Sequence, residues 1–244
     1  MQQRQIAEMY ALEADHWWFW GKRLLLRRLL GNRLMRPDLR ILDVGCGAGA
    51  GAIELSAYGS VVACDRSLDA LGYARGRGLL RVVAASAPDL PFRSAAFDVV
   101  TAYDVLEHVE DDAAFVRELA RVLAPGGALA IHVPAWPSLW SGHDEILEHK
   151  RRYTRRNLAA LLQDNGLRIQ SLGWASCAIF LPAVAARWMR QMMGRQSQDA
   201  DLGVVPAPFN RILRGVYRAE AAVAVRFGLP FGLSLAAIAT RDKR

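Results

Sequence analysis

The sequence predicts an α/β protein in which helices cover both faces of a parallel sheet. Two observations predict this class. Between residues 40 and 134, apolar runs of strand length alternate with helical segments, and the first run ends in a glycine-rich turn at 43–49. Of the 244 residues, 52% are hydrophobic and 23% are charged, so the chain can bury a full core and is not disordered as a whole.

The predicted elements follow one another along the chain. Helical spacing of apolar residues, interrupted by the aromatic stretch HWWFWGKR at 16–23, predicts a helix over 3–31. Ser67 and Thr154 are suited to cap the helices that follow them, and Pro125 with Gly126 is expected to end another. The expected strands are 40–45, 60–65, 80–85, 97–105, 127–134, 167–176 and 233–241, and the later helices are 48–57, 67–78, 111–123, 151–166, 177–196 and 208–227.

One domain of ordinary size accounts for the length of the chain. We divide it into an N-terminal helical cap at 1–36, a core at 37–176 and 233–244, and a helical insertion at 177–232. The insertion is inferred because the last two strands are far apart in sequence, where a minimal fold needs only a short connection.

The cysteines and the N-terminus indicate the cellular compartment. The three cysteines, Cys46, Cys64 and Cys177, are odd in number and match no metal-ligand spacing, so we expect reduced thiols. The N-terminus contains acidic residues and no apolar run, which is not the pattern of a secretory signal. A cytoplasmic protein is therefore expected.

Charge is unevenly distributed along the chain. Residues 1–149 carry 15 Lys/Arg and 19 Asp/Glu, a net charge of −4, whereas residues 150–244 carry 16 and 5, a net charge of +11. A basic half indicates an anionic partner, and nucleic acid, phospholipid and phosphorylated substrates all qualify. The alternative is that the many arginines reflect only genome composition.

The turn at 43–49 is a candidate cofactor loop. Glycines allow a sharp turn and a close approach to a ligand, and the following helix start offers free N–H groups. Gly45, Gly47 and Ala50 also fit the dinucleotide fingerprint, so an NAD site is the alternative. Asp43 favours a different ligand, because its carboxylate could pair with an ammonium group but would repel a pyrophosphate. Asp65 ends the second strand and could accept hydrogen bonds from ribose hydroxyls under either interpretation.

Six motifs in a fixed order resemble those of the class I S-adenosylmethionine-dependent methyltransferases, of the type that acts on small molecules. They are LDVGCGAG at 42–49, Asp65, LPF at 90–92, FDVV at 97–100, LEHV at 106–109 and LAPGG at 123–127. The resemblance covers residues 38–135 strongly. It implies a Rossmann-like, doubly wound sheet of seven strands in the order 3-2-1-4-5-7-6, with an antiparallel last strand.

The resemblance also implies a cofactor, S-adenosylmethionine, and the residues that hold it. Asp43 and the loop residues are expected to hold the methionine part, Asp65 with Arg66 the ribose, and Ser86 with Ala87 the adenine. Ser86 departs from the acidic residue usual at its position, and Asp89 could substitute for it. The full expected set is Asp43, Gly45, Cys46, Gly47, Gly49, Asp65, Arg66, Ser86, Ala87 and Tyr103. The aromatic stretch 16–23 is expected to form a lid over the cofactor, where Arg23 could meet the cofactor carboxylate.

Two histidines are candidate general bases. His108 follows the fourth strand, at the edge where this fold reacts, and its pKa ordinarily lies near neutrality. His143 lies in segment 136–153, whose aromatic, acidic and basic side chains are expected to face the acceptor. The alternative for these residues is a structural role. Asp104, Glu107 and His108 also resemble the metal-binding pattern of some O-methyltransferases, but no metal is assigned.

The expected acceptor is a small or lipid-linked molecule. The alternatives are RNA, which the basic half favours but no RNA-binding appendage supports, and a cofactor-binding protein without turnover. The insertion contains apolar runs with interspersed arginines. Its apolar residues include Leu181, Phe209, Ile212 and Tyr217. Because these runs are too short and too broken to span a bilayer, we expect peripheral contact with a membrane surface. A self-packed helical subdomain or a homodimer interface is the alternative.

Overall fold

One seven-stranded sheet organises the protein, as shown by a computed structural model that describes residue 10 and residues 12–192 and 205–242. Its strands are β1 (Leu39–Val44), β2 (Gly59–Asp65), β3 (Val82–Ala84), β4 (Phe97–Tyr103), β5 (Leu123–Pro134), β6 (Leu167–Ala175) and β7 (Ser234–Arg241). The order is β3-β2-β1-β4-β5-β7-β6, and β7 runs antiparallel to both of its neighbours. The predicted strand order and the predicted direction of the last strand are confirmed.

Helices cover both faces of this sheet, as predicted. They are α1 (Trp17–Leu30), α2 (Ala50–Leu55), α3 (Leu68–Gly76), α4 (Asp112–Val122), α5 (Gly142–Ile146), α6 (Arg155–Asp164), α7 (Phe180–Met192) and α8 (Ala207–Phe227). On one face, Phe115 and Leu119 of α4 pack with Leu158 of α6 in one buried cluster. On the other face, Leu26 of α1 and Leu55 of α2 belong to a second cluster.

Local capping explains several helix starts. The side chain of Ser67 accepts a hydrogen bond from the Ala70 N–H, and that of Thr154 accepts one from the Asn157 N–H, so both predicted caps are confirmed. His16 is the N-cap of α1, so the aromatic stretch at 16–23 begins a helix and does not interrupt one. Residues 3–9 of the longer helix that we predicted, and the polar stretch at 197–203, lie outside the described residues.

Two predicted boundaries of the central strands are wrong. β4 ends at Tyr103 and not at 105, because Asp104 has a φ of 54° and a short 3-10 turn follows at Leu106–His108. β5 begins at Leu123 and continues through Pro125, so α4 passes directly into a strand. The early end of β4 matters for function, because it places the following side chains above the edge of the sheet.

The insertion packs on the N-terminal cap through α8. A Cβ atom on Gly21 of α1 would lie 2.1 Å from Cδ1 of Tyr217, so the absence of a side chain lets the two helices meet. Tyr217, which we expected in an exposed apolar surface, is only 3% exposed, and its hydroxyl lies 3.0 Å from Oγ of Ser176. Glu220 accepts hydrogen bonds from the N–H groups of Ser176 and Ala178, which fastens α8 to the end of β6.

No helix within the described ranges combines the length and the apolar character needed to cross a bilayer.

The contact between α1 and α8 makes a stability prediction. Gly21→Ala should lower the free energy of unfolding by roughly 1–3 kcal/mol, because the new methyl group forces the Tyr217 ring and its helix to move. Urea denaturation measures this loss. Gly215→Ala is the matched control, since Gly215 is exposed on α8 with nothing within 4 Å of a new Cβ. The control should be unchanged or up to about 1 kcal/mol more stable. Equal stability of the two variants would contradict the proposed close contact.

Candidate active site

A cavity of about 550 Å³ lies at the carboxyl edge of the sheet. The residues around it come from the N-terminal segment, the glycine loop after β1, the turn after β4, and the segment from α5 to Arg152. A smaller cavity of about 280 Å³ is its neighbour and shares Gly45, Asp65, Arg66, Asp104 and His108 with it. The two cavities together offer room for an elongated ligand.

The structure brings most of the predicted cofactor residues together. The large cavity is lined by Asp43, Gly45, Cys46, Gly47, Asp65, Arg66 and Tyr103, and the small one by Ser86 and Ala87 among others. Gly49 is the exception. It begins α2 with a φ of 83°, and a Cβ there would lie 2.6 Å from Cδ1 of Leu79, so Gly49 shapes the loop from behind. The binding roles of these residues stay predictions.

The glycine loop turns tightly above β1. Gly45 and Gly47 have φ values of 67° and 55°, which other residues adopt at a cost. A Cβ on Gly45 would also lie 2.3 Å from Cγ2 of Val105. The loop is further fixed by Asp65, whose carboxylate accepts hydrogen bonds from the N–H groups of Gly47 and Ser67. Asp65, at the end of β2, therefore holds both the glycine loop and the start of α3.

Three carboxyl groups meet at the loop end of the cavity. Asp43 is 3% exposed and accepts a 2.6 Å hydrogen bond from the Thr101 hydroxyl. Burial, together with the nearby charges of Glu13 and Asp65, raises the pKa of Asp43 to about 7 against the opposing effects of Thr101 and Arg23. Glu13 accepts a 2.9 Å hydrogen bond from the Ala48 N–H. This end of the cavity is therefore suited to a ligand that carries positive charge.

Arg23 lines the cavity, but its hydrogen bonds go to the protein itself. Its guanidinium donates to the carboxylate of Glu54 at 2.9 Å and to the backbone carbonyls of Glu13 and Ala14, each at 2.8 Å. Arg23 thus positions the segment that carries Glu13. This arrangement differs from the expected contact with a cofactor carboxylate, because all three nitrogens of the guanidinium are already engaged.

Sequence reasoning missed a charged network beside the turn after β4. Asp104 accepts a hydrogen bond from Lys22 of α1, and its other oxygen lies 2.6 Å from Nδ1 of His132 on β5. Burial alone would raise the pKa of Asp104, but Lys22 and His132 outweigh it and hold the pKa far below its usual range. No local pattern marks Lys22 or His132, since one lies in an apolar helix and the other inside a buried strand.

Both predicted catalytic histidines line the large cavity. Burial, together with the neighbouring imidazole of His149, lowers the pKa of His108 to about 4, so His108 is neutral near pH 7. Nδ1 of His149 lies 2.9 Å from the Asp144 carboxylate, which also accepts a 2.7 Å hydrogen bond from Nε of Arg152. The segment that we expected to face the acceptor therefore does border the cavity, with Asp144 as its buried centre.

Comparisons with known proteins agree with the fold. The family model described as a methyltransferase domain matches residues 42–131. A probable S-adenosylmethionine-dependent methyltransferase of Mycobacterium tuberculosis is 32% identical over 173 residues, which cover 69% of this chain and 61% of the relative. The 27-O-demethylrifamycin SV methyltransferase of Amycolatopsis mediterranei is 37% identical over 116 residues, 44% of this chain and 43% of the relative. The chain belongs to the class I S-adenosylmethionine-dependent methyltransferases.

Solved structures show the same class I methyltransferase fold. An S-adenosylmethionine-dependent methyltransferase from Mesorhizobium loti superposes with a TM-score of 0.59 at 20% identity, over 88% of this chain and 95% of that one. Phosphoethanolamine N-methyltransferase 2 from Haemonchus contortus, in complex with S-adenosylmethionine, gives 0.61 at 18% identity, over 91% and 53%. The predicted family, fold and cofactor are confirmed. The chain spans 61% of the Mycobacterium tuberculosis relative and less than half of the rifamycin enzyme, so its acceptor and partners remain to be proposed.

The site of this class I methyltransferase fits its cofactor. S-adenosylmethionine carries an ammonium group and a sulfonium centre, and the cavity end at Asp43, Asp65 and Glu13 is acidic. The hydroxyl of Tyr103 is buried in the cavity wall without a hydrogen-bond partner among the described residues, so a bound ligand could engage it. An NAD pyrophosphate would meet the same acids at a cost, which removes the alternative left open by the glycine pattern.

Asp43 makes a pH prediction for cofactor binding. Below about pH 7 the free protein holds a proton on Asp43, and binding of an ammonium group favours its release. Affinity for S-adenosylhomocysteine should therefore rise about tenfold per pH unit between roughly pH 5 and pH 7 and then level off. Calorimetry measures this slope, and NAD should not bind at any pH.

Two variants assign the slope to its cause. Asp43→Asn should bind weakly and lose most of the pH dependence, whereas Asp69→Asn should behave like the unaltered protein, because Asp69 is exposed on α3 outside the cavity. If the pH dependence of binding is unchanged in Asp43→Asn, the titrating group is not Asp43 but another group, such as Glu13.

Proposed function

We propose that the protein transfers the methyl group of S-adenosylmethionine to a hydroxyl group of a small or lipid-linked acceptor. The observation that carries this proposal is the group of titratable side chains that line the same cavity as the glycine loop, namely Glu107, His108, His143 and His149. A hydroxyl must lose its proton when it is methylated, and these groups are placed to receive it. The names of relatives, such as the 27-O-demethylrifamycin SV methyltransferase, support a small-molecule acceptor.

The residues of the chain divide into three tasks. Asp43, Asp65 and the glycine loop would hold the cofactor, whose sulfonium supplies an electrophilic methyl group when bound. Trp18 and Phe19 line the cavity near Lys22 and would exclude water from the reacting atoms. Proximity and orientation of this kind supply a large part of the rate in displacement reactions.

Proton removal is the third task, and two imidazoles are placed for it. His108 and His143 both border the cavity beyond the carboxyl ends of the strands. Because His108 is neutral near pH 7, it can accept a hydrogen bond or a proton from a bound hydroxyl. The proposed mechanism needs one of the two as a base, and substitution decides which.

A kinetic experiment tests the base. His143→Gln should lower kcat by about 10²- to 10⁴-fold if His143 accepts the proton, while the affinity for S-adenosylhomocysteine stays unchanged. The assay uses cofactor with an isotopically labelled methyl group, incubated with small-molecule, lipid and RNA fractions from a strain that lacks the protein. Label in a small-molecule or lipid product supports the proposal. Label confined to RNA, or cofactor binding without any labelled product, would contradict it.

We also propose that α8 places the protein on an anionic lipid surface, which would suit a lipid-linked acceptor. Phe209, Ile212, Val216, Val223 and Phe227 are exposed and recur at intervals of three, four, seven and four residues, so they share one face of the helix. Glu220 falls at the same helical spacing but is buried against the end of β6, so the stripe has an N-terminal part at Phe209, Ile212 and Val216 and a C-terminal part at Val223 and Phe227. Arg211, Arg218 and Arg226 are exposed on the same helix and would attract lipid phosphates.

Vesicle sedimentation tests the apolar stripe. The protein should pellet with anionic vesicles at low salt and less with neutral ones, since each basic residue near the surface contributes on the order of 1 kcal/mol that salt weakens. Replacing Phe209 and Ile212 together with asparagine should reduce the salt-resistant part. Leu80→Asn is the control, because Leu80 is 95% exposed elsewhere on the molecule. If the protein stays in the supernatant under every condition, the membrane proposal is contradicted. If the double variant changes from dimer to monomer, the stripe is instead an interface between protein chains.

A further inference from the structure

Three ligand-bearing side chains converge beside the cavity. Glu107 and His108 follow β4, and His149 follows α5, and one potential ligand atom from each lies within 4.8 Å of the others. All three residues line the large cavity. The sequence placed the first two side by side, but only the fold adds His149 from a segment about forty residues further on.

Glu107 is the unusual member of this cluster. It is 1% exposed, and neither carboxylate oxygen has a hydrogen-bond partner in the part of the chain that the structure describes. A buried carboxyl group without partners costs considerable free energy unless a proton or a cation compensates it. This unsatisfied group is the observation that indicates a ligand.

The two histidines are held from outside the cluster. Nδ1 of His149 is 2.9 Å from the Asp144 carboxylate, which leaves Nε2 for a ligand. His108 makes a hydrogen bond with the backbone of Glu148. Histidines that bind metal ions typically use their second ring nitrogen in this way, because a carboxylate or a backbone carbonyl then fixes the ring and its tautomer.

One carboxyl group of the cluster, Glu107, has no close counter-charge, and its burial, together with the charge of Asp104, raises its pKa well above the usual range. Asp104 is paired with Lys22 and His132, and Asp144 is paired with Arg152 and His149. Lys22 and Arg152 also act on Glu107 from a distance, but neither forms a described ion pair with it. A cation bound between Glu107 and the two imidazoles would therefore complete the local balance.

We propose that Glu107, His108 and His149 bind one divalent cation of the zinc, manganese or iron type. Two imidazoles and one carboxylate are a ligand set of catalytic zinc sites that keep an open position, and the same set serves other transition ions. Magnesium and calcium prefer oxygen ligands alone. Zinc binds nitrogen at about 2.0–2.1 Å, so ligand atoms that lie up to 4.8 Å apart would move closer together on binding.

The open position of the ion would face the acceptor end of the cavity. This consequence rests on the proposed function: a hydroxyl oxygen of the acceptor would coordinate the ion, which lowers the pKa of that hydroxyl. With His108 used as a ligand, His143 would be the group left to accept the proton. The cation site thus deepens the proposal by selecting acceptors that can offer a coordinating oxygen.

Calorimetry with Zn²⁺ on the unaltered, metal-free protein tests the site. One ion should bind per chain, and both Glu107→Gln and His149→Gln should weaken binding by more than the roughly 10- to 100-fold typical of losing an outer partner. His143→Gln is the matched control and should retain the affinity for Zn²⁺. Unchanged binding of S-adenosylhomocysteine shows that each variant is folded. Co²⁺ should give an absorption spectrum of mixed nitrogen and oxygen ligands that Glu107→Gln alters.

Failure of this proposal can be told apart from failure of the proposed function. Zn²⁺ binding is measured without cofactor or acceptor, so it does not depend on methyl transfer. The cation site would be overturned if the unaltered protein showed no saturable Zn²⁺ binding. It would also be overturned if Glu107→Gln and His149→Gln bound Zn²⁺ as tightly as the unaltered protein. Labelled product formed at full rate by chelator-treated protein would overturn its role at the acceptor while leaving methyl transfer intact.

Discussion

The contact of Asp104 with Lys22 and His132 joins the N-terminal cap to the strands that carry the candidate active site. Asp104 begins the turn after β4, Lys22 lies in α1 and His132 in β5, so one carboxylate ties the N-terminal cap to the centre of the sheet. Breaking such a pair on one side leaves a poorly solvated charge without compensation, which costs far more than the pair itself contributes. The position of α1 over the cavity is therefore tightly constrained.

Because α1 is fixed in this way, the insertion is fixed as well. Gly21 lies one residue before Lys22, and the space above it is filled by Tyr217 of α8. Glu220, one turn further along α8, is anchored to the end of β6. The insertion is thus held by α1 and by the end of β6, while the side chains of the apolar stripe on α8 stay exposed. Acceptor binding and surface contact can be coupled through this one helix.

Local patterns explain why the sequence predicted the sheet and the cofactor loop. Strand periodicity, the glycines of 43–49 and the acid that ends β2 are all readable from neighbouring residues. Contacts between distant segments are not readable in this way: Lys22 meets Asp104 across 82 positions, and Ala48 of the glycine loop meets Glu13 across 35. The aromatic stretch was misjudged for a related reason, since its role as a helix start depends on the His16 cap and on packing against Tyr217.

The two ends of the cavity treat charge differently, and this difference orders the reaction. At the loop end, burial together with the nearby charges of Glu13 and Asp65 raises the pKa of Asp43 to about 7, so a positively charged ligand would relieve their repulsion. At the other end, Asp104 and Asp144 already have their counter-charges, and Glu107 alone does not. A cationic methyl donor is thus directed to one end by unbalanced negative charge. Under the proposed function, Glu107 lies where an acceptor would lose its proton, and a metal ion bound there would make the acceptor oxygen a stronger nucleophile.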